Sequence, residues 1–309
     1  MGTAPGRISQ TTAAKGTGKT ATEETGTAGV SEFHGGEMQF WNRFASISME
    51  QSIFLVVSVL ITAAGVSGQA FQQRAARSPW MPATATWYGD PYGDGSVGGA
   101  CGYGPSVSEA PLKTRVGAVS PVLFMKGEGC GSCFKVRCLD KNACSRRAVT
   151  VIVTDECPGG GFAQGAVHFD LSGAAFNRLA IAGEDGVLRN RGFIQVKFQR
   201  TPCTYGARNI AFRINEGSTP YWLSLLVMFE DGDGDVAAMD IKEGGSEDWL
   251  SMAHVWGATW SFNGGPLQGP LSVKITTYFT NSTLVATNVI PANWSPTSTY
   301  AAVGLNFKT

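Results

Sequence analysis

Thr86-Trp87-Tyr88-Gly89-Asp90, Asp155 and His168-Phe169-Asp170 bring aromatic rings, carboxylates and an imidazole into one cysteine-bearing half of the chain. Aromatic faces can stack on the C–H face of a sugar ring while carboxylates and hydroxyls meet its edge, so these residue types suit a polysaccharide. Trp87 and Tyr88 are the expected stacking rings. Carboxyl pairs can go further, because inverting glycoside hydrolysis needs an acid and a base about 6.5–9.5 Å apart. The chemistry therefore turns on whether such a pair is complete.

These side chains need a β-rich scaffold. The chain has 309 residues, 40 glycines and only 16% charged residues, which suits short strands and turns better than a helical bundle. Ala148-Val-Thr-Val-Ile-Val-Thr154 and Gly192-Phe-Ile-Gln-Val-Lys-Phe198 read as strands, and one helix fits Ser172 to Ile181 with Ser172 as N-cap. Two halves separate near residues 201–208. Beyond them the strand-like runs are Trp222 to Phe229, Val236 to Ile241, Ala258 to Phe262 and Leu271 to Tyr278. Regular short strands without cysteines predict an antiparallel sandwich. Asp231-Gly-Asp-Gly-Asp235 resembles part of a calcium loop, but the later Glu and the flanking helices are missing, so it is read as a hairpin turn.

The N-terminus is a different kind of sequence. Residues 1–48 are rich in Gly, Thr, Ala and Ser and are expected to be a disordered extension or a gene-model artefact, with Met49 or Met38 as the start. Residues 49–69 contain an apolar run that ends in small residues and reads as a signal peptide; it is shorter than the roughly 20 residues of a membrane span. Residues 70–81 form a short lead. Export would place the seven cysteines in an oxidising compartment, where they form disulfides more readily than a metal site. Cys130 and Cys133 lack a second pair or a nearby His to complete a zinc site, and the connectivity stays open at this level. With 24 Lys and Arg balancing 24 Asp and Glu and no basic stripe, a nucleic-acid partner is excluded and a neutral polymer is favoured. No nucleotide loop, haem or flavin motif occurs, so neither cofactor nor metal is expected.

The motifs TWYG (from Thr86), GGACGY (from Gly98), GCGSC (from Gly129), TDECPGG (from Thr154) and HFDLSG (from His168), followed by GSTPYWLSLLV, EDGDGD, HVWGATW and VIPANW, resemble the plant β-expansins, which include grass-pollen allergens. The resemblance covers residues 82–309. It implies a mainly β protein: a six-stranded double-psi β-barrel over residues 82–203, related to family-45 endoglucanases, a linker and domain start over 204–218, and an immunoglobulin-like carbohydrate-binding sandwich over 219–309. It also implies pairing of Cys101 with Cys130, Cys133 with Cys203 and Cys138 with Cys144, leaving Cys157 unpaired.

The same resemblance assigns roles. Thr86, Trp87, Tyr88, Gly98, Gly99, Asp155, His168, Asp170, Arg200, Trp222 and Trp256 are expected to line a polysaccharide groove, with Trp222 and Trp256 forming a flat aromatic surface on the second domain. Asp170 matches the proton donor of the related hydrolases. Asp90 stands where those hydrolases place the base, although Asp90-Pro91 also reads as a turn opener. The implied function is that of a secreted, monomeric wall-loosening protein that binds xylan, other matrix glycans and cellulose without hydrolysis. It would have no stable membrane association once its signal is removed. An inverting endoglucanase and a passive barwin-type lectin are the alternatives. Asn281 and Asn293 begin glycosylation sequons.

Overall fold

The computed structural model describes residues 78–157, 159 and 165–308. The extension, the signal segment and most of the lead lie outside the described residues.

Six strands close the first domain: β1 (Met81–Tyr88), β2 (Val116–Val119), β3 (Cys133–Cys138), β4 (Val149–Glu156), β5 (His168–Ser172) and β6 (Ile194–Arg200). Their order around the barrel is β1-β5-β2-β4-β3-β6. The β1–β5 and β2–β4 pairs are parallel and the others antiparallel. β-Branched runs such as Val149 to Thr154 suit strands buried on both sides. Phe134, Phe169 and Phe198 fill the interior, with ring centroids 5.3–5.9 Å apart. The helix expected over Ser172 to Ile181 is shorter, Gly173–Asn177, with the Ser172 hydroxyl accepting the Ala175 N–H as N-cap. A further helix, Asp185–Arg191, had no matching expectation.

The second domain is a sandwich of β7 (Ala211–Ile214), β8 (Trp222–Met228), β9 (Val236–Glu243), β10 (Leu250–Ser251), β11 (Ala253–Trp256), β12 (Thr259–Asn263), β13 (Leu271–Thr277), β14 (Thr283–Ile290) and β15 (Thr299–Ala301). One sheet runs β11-β12-β8-β7-β15 and the other β10-β9-β13-β14. Leu223, Leu225 and Val227 of β8 enter the core between the sheets, so Trp222, Leu226 and Met228 face outward by strand alternation. Leu226 and Met228 are buried nonetheless, because they pack into the barrel's cluster. The barrel thus covers one end of this sheet's outer face. The Asp231–Asp235 segment is not a hairpin turn: β8 and β9 belong to opposite sheets, so the segment is a corner between them.

That corner docks on the barrel. A Cβ on Gly131 would meet the Gly234 carbonyl oxygen at 2.1 Å, and a Cβ on Gly234 the Gly131 oxygen at 2.3 Å; both have positive φ. Only glycines permit this backbone-on-backbone approach. Arg200 at the end of β6 pairs with the fully buried Asp235 at 2.7 Å and lies over Phe279 at 4.9 Å. Disulfides join Cys101–Cys130, Cys133–Cys203 and Cys138–Cys144, and Cys157 is a free thiol.

Candidate functional site

The parallel β1–β5 register pairs Thr84 with His168 and Thr86 with Asp170. Because strand residues alternate between faces, all four side chains share one face. His168 Nδ1 lies 2.8 Å from the Thr84 hydroxyl and Nε2 lies 2.9 Å from the Thr86 hydroxyl, which is itself 2.6 Å from Asp170 Oδ1. With its single proton donated to the carboxylate, Thr86 must accept from Nε2–H. In the neutral ring Nδ1 then accepts from Thr84. Burial points the same way: His168 is fully enclosed, and desolvation lowers its pKa to about 4.

The second carboxylate stands across β2. Ala118 of that strand pairs with Asp170 on one side and Asp155 on the other, so the two acids are two strand spacings apart, about 10 Å between their Cα atoms. Burial raises the Asp170 carboxyl above its ordinary value, the Thr86 hydrogen bond opposes this, and the charge of Asp155 adds to the rise. Tyr88, on the same face of β1 as Thr86, is pushed up to about 12, chiefly by burial; Ser96 opposes the shift, and Asp155 and Asp170 reinforce it. Tyr88 therefore stays a neutral phenol within reach of both acids' charge. The Cys157 thiol is raised by burial and then by Asp170, which sets it beside the same group.

Asp155 leads out of the barrel. Its Oδ1 accepts the N–H groups of Ala100 and Glu156 at 2.7 and 2.8 Å, and a Cβ on Gly99 would strike the Thr154 carbonyl oxygen at 2.3 Å. Gly98 beside it is exposed, with open space around it. Next, the Cys101 carbonyl accepts the Ala258 N–H at 3.1 Å, and Gly102 lies beneath the Trp256 ring. Ala100 to Gly102 spans at most about 7 Å of chain. A β-bulge between His254 and Trp256 brings Trp256 opposite Thr259, on the outer face of the sheet. Trp256 is 47% exposed. Trp222, half-buried, lies on the same outer face four residues along β8 from Leu226, about 13 Å away.

Other expected residues fall elsewhere. Trp87 does not join the stacking rings: next to Thr86 and Tyr88 in a strand, it turns to the opposite face, packs near Phe176 and donates Nε1–H to the Arg189 carbonyl. Arg200 does not line a groove, because its guanidinium is taken up by Asp235 and the Asp233 carbonyl. Asp90 caps its own turn, with Oδ1 accepting the Tyr92 N–H at 2.7 Å. Asn281 and Asn293 are exposed in loops. Two members of the site were missed. Thr84 was legible from its two-residue spacing to Thr86, whereas Phe193, 49% exposed and stacked on His168 with a 12° interplanar angle, reads locally as an ordinary strand hydrophobe. Among the described residues no group of three or more His, Cys, Asp or Glu is placed to hold a metal ion.

The model of the expansin C-terminal domain matches residues 210–291, and one described as lytic transglycolase, of the double-psi β-barrel class, matches residues 116–198. Expansin-B16 of Oryza sativa subsp. japonica is 60% identical over 255 residues, covering 82% of this chain and 93% of that one. Expansin-B3 of Arabidopsis thaliana is 58% identical over 260 residues, covering 84% and 96%. The chain belongs to the expansin-B family. Two crystal structures of Clavibacter michiganensis expansin, one apo and one of a mutant in complex with cellohexaose, share the expansin fold with it. Their TM-scores are 0.55 and 0.54 at 24% and 22% identity, each covering 72% of this chain and 96% of the other. In this expansin, Phe193, His168, Thr86, Asp170, Tyr88, Asp155, Gly99, Gly102 and Trp256 form a connected series from the barrel onto the sandwich.

Proposed function

We propose that this expansin is exported to the plant cell wall, where as a monomer it binds cellulose and matrix glycans such as xylan and loosens the contacts between neighbouring polymers without cutting them. Residues 82–203 are the barrel domain, 204–218 the linker and the start of the second domain, and 219–309 the binding module. The observation that carries this reading is the short Ala100–Gly102 bridge, which joins the barrel's carboxylates to the exposed Trp256 on one binding face. Thr86, Tyr88, Gly98, Gly99, Asp155 and Asp170 meet the hydroxyl edges of the glycan, with the enclosed His168 holding Thr86 in place behind them, and Trp256 and Trp222 meet its C–H faces. The cellohexaose complex of the bacterial expansin supports an extended β-linked glycan as the ligand.

A net hydrogen bond in water is worth only about 0.5–1.5 kcal/mol, so exchanging a few polymer–polymer contacts for protein contacts lowers the barrier to slippage under load. No bond need break and no cofactor is required. The non-hydrolytic reading is supported by Asp90, whose Oδ1 caps its own turn by accepting the Tyr92 N–H, a structural role that accounts for an aspartate there. Disulfides suit the oxidising wall space, and among the described residues no helix is long and apolar enough to cross a membrane. The exposed sequons at Asn281 and Asn293 would accept N-glycans on the export route.

Extension of heat-inactivated walls under constant load, with sugar analysis of the bathing fluid, tests the proposal. Creep without soluble oligosaccharides is expected, lost in Asp170→Asn and retained in Asp90→Asn. Oligosaccharide release that Asp90→Asn stops would make the protein an inverting endoglucanase. Polymer binding with no creep would make it a passive wall lectin of barwin type.

A further inference from the structure

A cleft of about 220 Å³ opens beside Trp256, between the barrel's Gly102–Pro105 loop and the outer face of the five-stranded sheet. Its floor is one crosswise row of that sheet. Trp256 pairs with Thr259, Thr259 with Leu226, and Leu226 with Arg213, so the row runs about 14 Å between the Cα atoms of Trp256 and Arg213. Asn215 and Glu216, at the end of β7, complete the far wall. The row lies across the strands, whereas Trp222 lies along them. A glycan main chain passing from Trp256 towards Trp222 would leave the cleft to one side.

We propose that this cleft is a subsite for a single neutral sugar branch projecting from the bound glycan; this rests on the polysaccharide-binding reading above. The volume falls below the roughly 300–1,000 Å³ of pockets for drug-sized ligands and suits one ring. Arg213 is half-buried and makes no ion pair among the described residues, so its five N–H donors remain for a ligand. Glu216 is exposed at the mouth and only accepts, and the Asn215 side chain, whose Oδ1 takes the Gly217 N–H at 3.0 Å, keeps its amide donors. Paired donors and acceptors match vicinal hydroxyls. A uronate would gain from Arg213 but would meet the like charge of Glu216, which disfavours an anionic branch. Trp256 supplies the apolar edge at the junction of branch and main chain.

The test is affinity electrophoresis of the purified protein in gels containing arabinose-substituted xylan, the same xylan stripped of its arabinose, or a glucuronate-substituted xylan. The expected result is binding to the arabinose-bearing polymer about tenfold tighter than to the stripped one. Arg213→Ala and Glu216→Ala should each bring the substituted polymer down to the stripped level while leaving binding to stripped xylan unchanged. Equal affinity for the substituted and stripped polymers overturns the subsite and leaves the groove intact, as does a Glu216→Ala protein that keeps its full preference. Tighter binding of the glucuronate polymer overturns the neutral assignment. Binding to none of the three overturns both this inference and the polysaccharide reading on which it rests.

Discussion

Thr86 and Asp170 are register partners across the parallel β1–β5 pair, and the Thr86 hydroxyl donates to Asp170 Oδ1 at 2.6 Å while accepting from His168. One hydroxyl thereby sets two protonation states: it favours the Asp170 carboxylate and fixes the imidazole as the Nε2–H tautomer.

Thr86→Val keeps the β-branched shape and removes the hydroxyl. Asp170, already raised by burial, loses the hydrogen bond that holds it down and should titrate at higher pH than in the native protein. Carboxyl-carbon NMR of Asp170 reads this directly, and Thr86→Ser should restore the native value. Removing the hydroxyl that the buried Nε2–H donates to should also cost about 1–3 kcal/mol in denaturant unfolding. An Asp170 titration that stays put or moves down contradicts the assigned hydrogen-bond direction.

His168 makes stability depend on pH. Its folded pKa of about 4 lies below the ordinary 6.5, so between those values the unfolded chain binds more protons than the folded one. The contribution is therefore complete above pH 6.5 and is lost progressively as pH falls towards 4. Its slope is at most about 1.4 kcal/mol per pH unit. Urea unfolding between pH 4 and 7 should show this loss, and His168→Gln should flatten it. An unchanged slope in that variant would assign the dependence to other groups.

The local patterns that build strands were readable: Val149 to Thr154, Trp222 to Phe229 and Leu271 to Tyr278 carry enough β-branched and apolar residues to declare themselves. What local pattern does not encode is pairing between distant segments. Thr86 meets Asp170 through a register linking residues 84 apart, and Trp256 reaches the outer face through a bulge visible only in its pairing with β12. The Asp231–Asp235 segment has the composition of a hairpin turn, yet β8 pairs with β7 and β12 while β9 pairs with β13 and β10, which makes it a corner. Trp87 went astray for a simpler reason: neighbours in a strand cannot share a face, so Tyr88 and Trp87 could not both be platforms. Arg200 shows the limit of motif matching, because its partner Asp235 comes from the other domain.

Gly102 tests the bridge between the domains. Its φ of +83° is strained for any residue with a Cβ, and an added Cβ would lie 2.8 Å from the Trp256 ring. Gly102→Ala should displace the ring and weaken xylan or cellulose binding in the same direction as Trp256→Ala, each by about tenfold, or about 1.4 kcal/mol. Pull-down isotherms on the insoluble polymer measure both. Native-like affinity in Trp256→Ala, an exposed position whose loss leaves the core intact, would remove the indole from the binding face.

Arg200 and Asp235 hold the domains together through a pair whose acid is fully buried, with burial raising the Asp235 carboxyl to about 6 despite the opposing guanidinium. Removing one member strands the other, so Arg200→Met should cost about 3–5 kcal/mol in unfolding free energy. Replacing both, as in Arg200→Met with Asp235→Leu, removes the stranded charge and should recover part of that loss. A double-mutant cycle from urea unfolding therefore separates the cost of an unpaired buried carboxylate from the net worth of the pair. If the double variant is as unstable as the sum of the singles, the two side chains act independently, and the joint rests on its other contacts, the Gly131–Gly234 backbone approach and the packing of Leu226 and Met228 into the barrel's cluster.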